Sequence, residues 1–261
     1  MVVSELYQVT LRLPTELPWL TVAKYFDRIE STQARAVQFL PKEGEGAVMV
    51  IAEIQTKGVG REGRPWSAPS GGLWFTLALP LKNLTLAQAA PFSIVAALQV
   101  TEALQTVNSL KCDIKWPNDV LHEGKKVAGI LLTTITRSKK SWMLVGVGIN
   151  VNNEIPAELA TVATSIAKIR KQSQGRSRLL EAVLSSLHTA WEEFDKTGFG
   201  PYLKGVESRL MGVGKPVQIK VGTKNVSGTM TSVDAQGGLV LETAGGTTKT
   251  VSAGEIVGVP A

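Results

Sequence analysis

Three clusters of residues in this chain have the types and spacing to do chemistry. The first is Gly58-Val59-Gly60-Arg61-Glu62-Gly63, with Lys57 just before it and Arg64 and Trp66 just after. Glycines let backbone N–H groups approach a ligand, guanidinium groups hold carboxylate or phosphate in a fork, and an indole can cover an apolar face. The second is Lys115-Trp116-Pro117-Asn118-Asp119, followed by Lys126 at the head of an apolar run. It presents an amide and a carboxylate together. Taken alone, Asn-Asp after proline is also an ordinary turn, and Lys126 also an edge charge that discourages aggregation. The third is Val145-Gly146-Val147-Gly148-Ile149-Asn150-Val151. Two glycines in a strand suit close approach by a ligand or another backbone, and Asn150 offers a donor and an acceptor to an amide-like or purine edge; a bulge packed on a helix would look the same.

Several chemistries are excluded. The spacing of Gly58, Gly60 and Gly63 matches a dinucleotide fingerprint, but Arg64-Pro65-Trp66-Ser67-Ala68-Pro69 follows where a helix would have to open. No G-x-x-x-x-G-K-[ST] phosphate loop is present. The single Cys112 rules out a disulfide framework, and with only His122 and His188 beside it the soft ligands are too few for zinc. Lys plus Arg number 28 against 22 Asp plus Glu, and this net charge of +6 is spread without a block of like charge. Such a surface suits an anionic substrate or an acidic protein partner. No run of 18 apolar residues could span a bilayer, and MVVSELYQV lacks a basic leader before an apolar core, so the expected location is the cytoplasm.

These clusters need elements to position them. A length of 261 residues suits one large domain, or a large one with a small one, at roughly 100 to 200 residues per domain. After an irregular lead-in over residues 1–20, KYFDRIE reads as a strand, STQARAVQFL as a helix capped by Ser31, and AVMVIAEI as a strand. Residues 55–72 form a glycine-rich loop long enough to be functional. GLWFTLALP resumes as a strand, and residues 86–107 read as a helix after Pro91. CDIKW, KVAGILLTTI and SWMLVGVGINV are three more strands, with a hairpin turn at Glu123-Gly124-Lys125. Residues 152–177 are polar and irregular, before a helix carrying Leu180, Val183, Leu184, Leu187, Trp191 and Phe194 on its core face. From Lys215 short β-rich runs suggest a small barrel. The expected division is 1–210 and 211–261, the second piece having little apolar area of its own.

Taken in order, QTKGVGREGRPWSAPSGGLWFTLALP, KWPND, KKVAGILL and VGVGIN resemble the biotin protein ligases over about residues 24 to 257. The resemblance implies an α+β catalytic domain of the class II synthetase type, with a mixed, largely antiparallel sheet and helices on one side, plus an SH3-like C-terminal barrel. It implies an ATP-dependent ligase that activates biotin as biotinyl-5′-AMP and transfers it to a lysine of a biotin carboxyl carrier protein, with ATP, biotin and magnesium as its ligands. Lys126 and Arg61 would be catalytic. Ser31, Thr32, Gln33, Gln55, Val59, Gly60, Arg61, Lys126 and Gly129 would line the biotin pocket. Gly58, Arg64, Trp66, Asn118 and Asn150 would face the nucleotide, and Asp119 its magnesium.

Two positions depart from the family pattern. Val59 stands where the loop commonly has arginine, which should weaken retention of the adenylate rather than abolish ligation; Gln33 replaces the usual Asn and carries its amide on a longer arm. About two dozen residues precede the first strand, too few for the operator-binding domain of bifunctional relatives, so no operator DNA binding is expected. A homodimer through a sheet edge is a further implication. The competing readings are a lipoate or octanoate ligase or transferase of the same fold, and a nucleic-acid-binding protein. The second is poorly supported: the tail from Val206 carries five cations against four acids.

Overall fold

The computed structural model describes residues 17–41, 46–137 and 139–258. Strand β1 (Leu20–Ile29) leads through helix α1 (Thr32–Gln38) to β2 (Ala47–Gln55) and β3 (Leu73–Leu81). Helices α2 (Leu86–Ala89) and α3 (Phe92–Asn108) follow, then β4 (Asp113–Lys115), β5 (Asp119–His122), β6 (Lys125–Arg137) and β7 (Lys140–Ile149). Helices α4 (Ile166–Arg170), α5 (Arg176–Thr197) and α6 (Leu203–Arg209) complete this part. The seven strands make one sheet in the order β1-β2-β3-β7-β6-β5-β4, parallel between β1 and β2 and antiparallel elsewhere. The mixed, largely antiparallel α+β layout is as expected.

Every residue from Ala47 to Glu53 is buried, so β2 must be covered on both faces. On one face Met49, Ile51, Phe75, Leu77, Val145 and Val147 pack with the buried sides of α3 and α5. On the other, Val48, Val50, Ala52, Ala78, Trp142 and Leu144 pack with Ala36 of α1 and Leu40. The two long helices therefore share one face, as expected, but α1 covers part of the opposite one. Its cap is also as expected, with Ser31 Oγ accepting from Ala34 N.

Some boundaries differ from the sequence reading. β1 begins at Leu20, within what reads as a lead-in; residues 1–16 of that lead-in lie outside the described residues. The stretch 152–177 holds a short 3-10 turn and α4, and α6 carries no signal strong enough to announce it. At the hairpin, both Glu123 (φ 47°) and Gly124 (φ 76°) are left-handed, the two-residue turn whose twist matches antiparallel strands.

Beyond α6, β8 (Pro216–Val221), β9 (Lys224–Val233), β10 (Leu239–Glu242), β11 (Thr248–Val251) and β12 (Glu255–Gly258) form an antiparallel sheet in the order β11-β10-β9-β8-β12. Its end strands β11 and β12 do not pair, so among the described residues the sheet is open rather than the closed barrel expected. Its interior, including Ile219, Met230, Leu239 and Leu241, is continuous with the main core rather than separate from it. Hydrogen bonds from Met211 N to Ile114 O (2.9 Å) and from Trp116 Nε1 to Gly237 O (2.9 Å) tie it to the β4 end of the large sheet.

Candidate functional site

The site lies on the sheet face opposite α3 and α5. Gly129 of β6 pairs in register with Gly148 of β7, which leaves two adjacent strands bare at one level. The indole of Trp66 lies on that bare floor: a Cβ would sit 2.8 Å from the ring at Gly148 and 3.1 Å at Gly129. At Gly146 a Cβ would meet Gln33 Oε1 at 2.5 Å. These strand glycines thus admit side chains from the loop and from α1.

The loop over residues 55–72 is folded into a small hairpin. Gln55 N donates to Ala68 O (3.0 Å), Trp66 N to Gly58 O (2.8 Å) and Gly60 N to Arg64 O (2.7 Å). Gly58 permits this fold because a Cβ there would lie 2.5 Å from Trp66 O. The tip is a 3-10 turn over Arg61–Gly63, with Glu62 left-handed at φ 57°. From this tip Arg61 donates to Asn118 Oδ1 (3.3 Å) and to Gly254 O (2.8 Å), while Arg64 pairs with Glu255 at 2.9 Å. The loop is thereby held against the C-terminal sheet. Burial pushes the Glu255 carboxyl up, but the hydrogen bond and charge of Arg64 outweigh it and leave it below the usual carboxylate value. The same hydrogen bond raises Arg64.

Under the hairpin, Lys126 Nζ sits 2.7 Å from Asp119 Oδ1 and 4.9 Å from the Trp66 ring centroid. Asn118 is locked by donating to Ile130 O (2.6 Å). At the α1 end runs a chain of polar side chains. Thr32 donates from both N (2.7 Å) and Oγ1 (3.0 Å) to Gln55 Oε1, and its Oγ1 lies 2.9 Å from Thr76 Oγ1. Thr76 donates to Gln33 Oε1 (3.1 Å), and Gln33 Nε2 donates to Thr133 Oγ1 (2.8 Å). Because the Gln55 oxygen is doubly engaged, the end of Gln55 offered to the cleft is its NH2. The longer arm of Gln33 spans β3 and β6 through these bonds while the residue also lines the cleft.

Every residue expected at the site except Gly58 lines one cleft of about 840 Å3. Gly58 stands behind it, in the hairpin backbone. Val59 is 45% exposed at the mouth, and Asn150 is buried with its Oδ1 accepting from Asn153 Nδ2 at 3.1 Å. Among the described residues no group of three His, Cys, Asp or Glu could hold a metal ion. Asp119, bound to Lys126, fits only a magnesium ion that brings its own phosphate oxygens.

Sequence reasoning missed Thr76 and Thr133 of the polar chain, Asn153, the Gly254-Glu255 contact, and a buried ion pair, Glu53 Oε2 to Arg176 Nη1 at 2.8 Å. The pair had two signals: an acid inside the apolar run AVMVIAEIQ, and a cation in the first turn of a helix, where the macrodipole disfavours it.

Known proteins resemble this chain in sequence and fold. The profile of the Biotin/lipoate A/B protein ligase family matches residues 25–150, and that of the Biotin protein ligase C terminal domain matches residues 212–257. The bifunctional ligase/repressor BirA of Bacillus subtilis is 30% identical over 234 residues, which cover 88% of this chain and 72% of that protein. The biotin–[acetyl-CoA-carboxylase] ligase of Paracoccus denitrificans is 35% identical over 223 residues, covering 82% and 91%. The solved biotin protein ligase from Aquifex aeolicus in complex with biotin and ATP superposes with a TM-score of 0.79 at 30% identity, over 91% of this chain and 98% of that one. On sequence and fold together, the chain belongs to the biotin/lipoate protein ligase family, among its biotin protein ligases.

Proposed function

We propose that the cleft joins biotin to ATP as biotinyl-5′-AMP, releasing pyrophosphate, and then passes the biotinyl group to a lysine of a biotin carboxyl carrier domain. The observation that carries this reading is the meeting in one cleft of a polar chain at one end, Lys126 in the middle and an arginine hairpin above. A volume of about 840 Å3 suits a ligand of that size. Gln55 and Thr32 offer hydrogen bonds to the ureido ring. Lys126 faces the reacting carboxylate, and Arg61 with Lys126 offsets the repulsion when that carboxylate attacks the α-phosphate. Trp66 Nε1 is buried without a partner, an orphan donor that a ligand oxygen would satisfy.

Arg64 and Asn118 meet the phosphates, and Asn150, oriented by Asn153, meets the purine. A magnesium ion bound with ATP supplies positive charge to the leaving pyrophosphate, and Asp119 would hold it. In the second step the carrier lysine amine attacks the acyl carbon, and AMP leaves with the bonding electrons. The mixed anhydride hydrolyses in water, so a closed hairpin over it preserves the intermediate for the second step.

The polar chain disfavours the lipoate alternative. A dithiolane and alkyl chain would leave the Gln55 NH2 facing an apolar ligand with its hydrogen bonds unmade. The test is transfer of labelled biotin to an isolated carrier domain with ATP and magnesium, run beside Arg61→Ala, Lys126→Ala and a lipoate control. Transfer in the wild type, reduced about 100-fold or more in each variant, supports the reading. Pyrophosphate release with lipoate but not biotin rejects it.

No helix among the described residues is long and apolar enough to cross a membrane. Cytoplasmic location, no operator DNA binding, and pairing of two copies through the β1 edge belong to the same reading. Cell fractionation, mobility-shift assay and sedimentation test them.

A further inference from the structure

The buried Glu53–Arg176 pair does not line the cleft, and it sits where the hairpin rejoins the sheet. Four consecutive residues there are pinned. Trp74 Nε1 donates to Pro69 O (2.8 Å). Ser70 Oγ (2.5 Å) and Gly71 N (2.9 Å) both donate to Glu53 Oε1. Asn152 N donates to Gly71 O (2.8 Å), and Arg176 Nη1 donates to Gly72 O (2.8 Å) as well as to Glu53 Oε2.

The two ends of the hairpin are held differently. At the entrance, backbone bonds from Thr56 N to Ile29 O and from Lys57 N to Glu30 O are supplemented by a Lys57–Glu30 pair that is more than two-thirds exposed on both sides. Such a pair contributes little. At the exit both charges are buried, Arg176 at 3% and Glu53 at 6% exposure. A buried ion pair is a poor device for stability alone, and an arginine opening a helix is unfavourable for that helix. Its geometry instead specifies one backbone path. That path starts four residues after Trp66, whose ring must lie on the glycine floor, and it reaches Asn152 beside the Asn150–Asn153 pair.

We propose that Glu53, Arg176 and Ser70 are positioning residues that hold the hairpin shut, and through it determine how long the activated intermediate is retained between the two steps. The retention half rests on the ligase reading; the positioning half does not. The cluster acts by fixing the exit, so that Trp66 and the arginines return to one place after each opening.

Ser70→Ala tests this with the fold preserved, since it removes one hydrogen bond to the carboxylate and leaves the ion pair. Glu53→Gln is the second variant, and Leu77→Ala, in the core of β3, is the control for general destabilisation. Two quantities are read on the full chain. Hydrogen exchange at the Gly60 and Trp66 amides should accelerate about tenfold in Ser70→Ala, the effect of losing one charge-assisted hydrogen bond. The ratio of biotinyl-adenylate released to biotinyl transferred should rise by a similar factor, with the thermal midpoint little changed. In Leu77→Ala the midpoint should fall and the ratio stay put. Unchanged exchange in both Ser70→Ala and Glu53→Gln overturns the positioning role. Faster exchange without more release overturns the retention role. If wild type makes no adenylate, the ligase reading and the retention role with it have failed, and exchange alone still decides the positioning role.

Discussion

The two faces of the seven-stranded sheet are built from alternate residues of the same strands and do opposite things. Along β7, Val145, Val147 and Ile149 point into the helical layer, while Gly146 and Gly148 between them point into the cleft. Along β3, Leu77 is core and its neighbour Thr76 belongs to the polar chain. One face is filled throughout; the other is packed beside α1 but has side-chain volume removed at Gly129, Gly146 and Gly148, where Trp66 and Gln33 lie. With a side-chain period of two, a single strand can specify a scaffold and a site together, provided its register never slips.

That division makes mutations on the two faces separable. Leu77→Ala should cost about 2–5 kcal/mol of stability in chemical denaturation, with kcat/KM within a few-fold of wild type. A large loss of turnover in folded protein would show that the faces are not independent. Gly148→Val should do the reverse. Displacing Trp66 from the floor should lower adenylate formation about 10- to 100-fold, with at most about 1–3 kcal/mol of overpacking seen in chemical denaturation.

Within the cleft the comparison can be sharpened. If Gln33 acts through the polar chain, Gln33→Asn and Thr133→Val should each raise KM for biotin by up to about tenfold, the worth of a 0.5–1.5 kcal/mol hydrogen bond, and the double variant should be no worse than either. Additive effects would mean that Gln33 touches the ligand directly. The smallest effect is a pH dependence. Burial, the largest influence on Glu53, raises its pKa, but hydrogen bonds from Ser70 and Arg176 with the charge of Arg176 bring it below 4.5. A carboxyl lowered on folding contributes stability that is fully present above its unfolded value and is lost as pH falls through the lower folded value. Thermal midpoints measured downward from pH 4.5 should therefore fall more steeply in wild type than in Glu53→Gln.

Most of the strand plan was legible because apolar runs of strand length and a two-residue turn leave local marks: AVMVIAEI, GLWFTLALP and the Glu123-Gly124 hairpin all appear in place. The cleft residues were legible by type and by family resemblance. What could not be read depends on distance in the chain. Glu53 and Arg176 are 123 residues apart, and neither has a neighbour in sequence that names the other. The hairpin fold of residues 55–72 rests on backbone hydrogen bonds, which leave no period in the side chains. The direction taken by Gln33 was hidden for the same reason, since Thr76 and Thr133 look like ordinary strand threonines until β3, β7 and β6 lie side by side.

The junction with the C-terminal sheet has a consequence for assembly. Leu210 forms a parallel bridge with Ile114, and Met211 bonds to the same strand, so the β4 edge of the large sheet is occupied by the chain itself. Among the described residues nothing pairs with the outer edge of β1. A sheet with one occupied border can be joined once, symmetrically, and the resulting pair then presents no further border of that kind. Were two copies to pair there, growth of the large sheet by strand addition would stop at two.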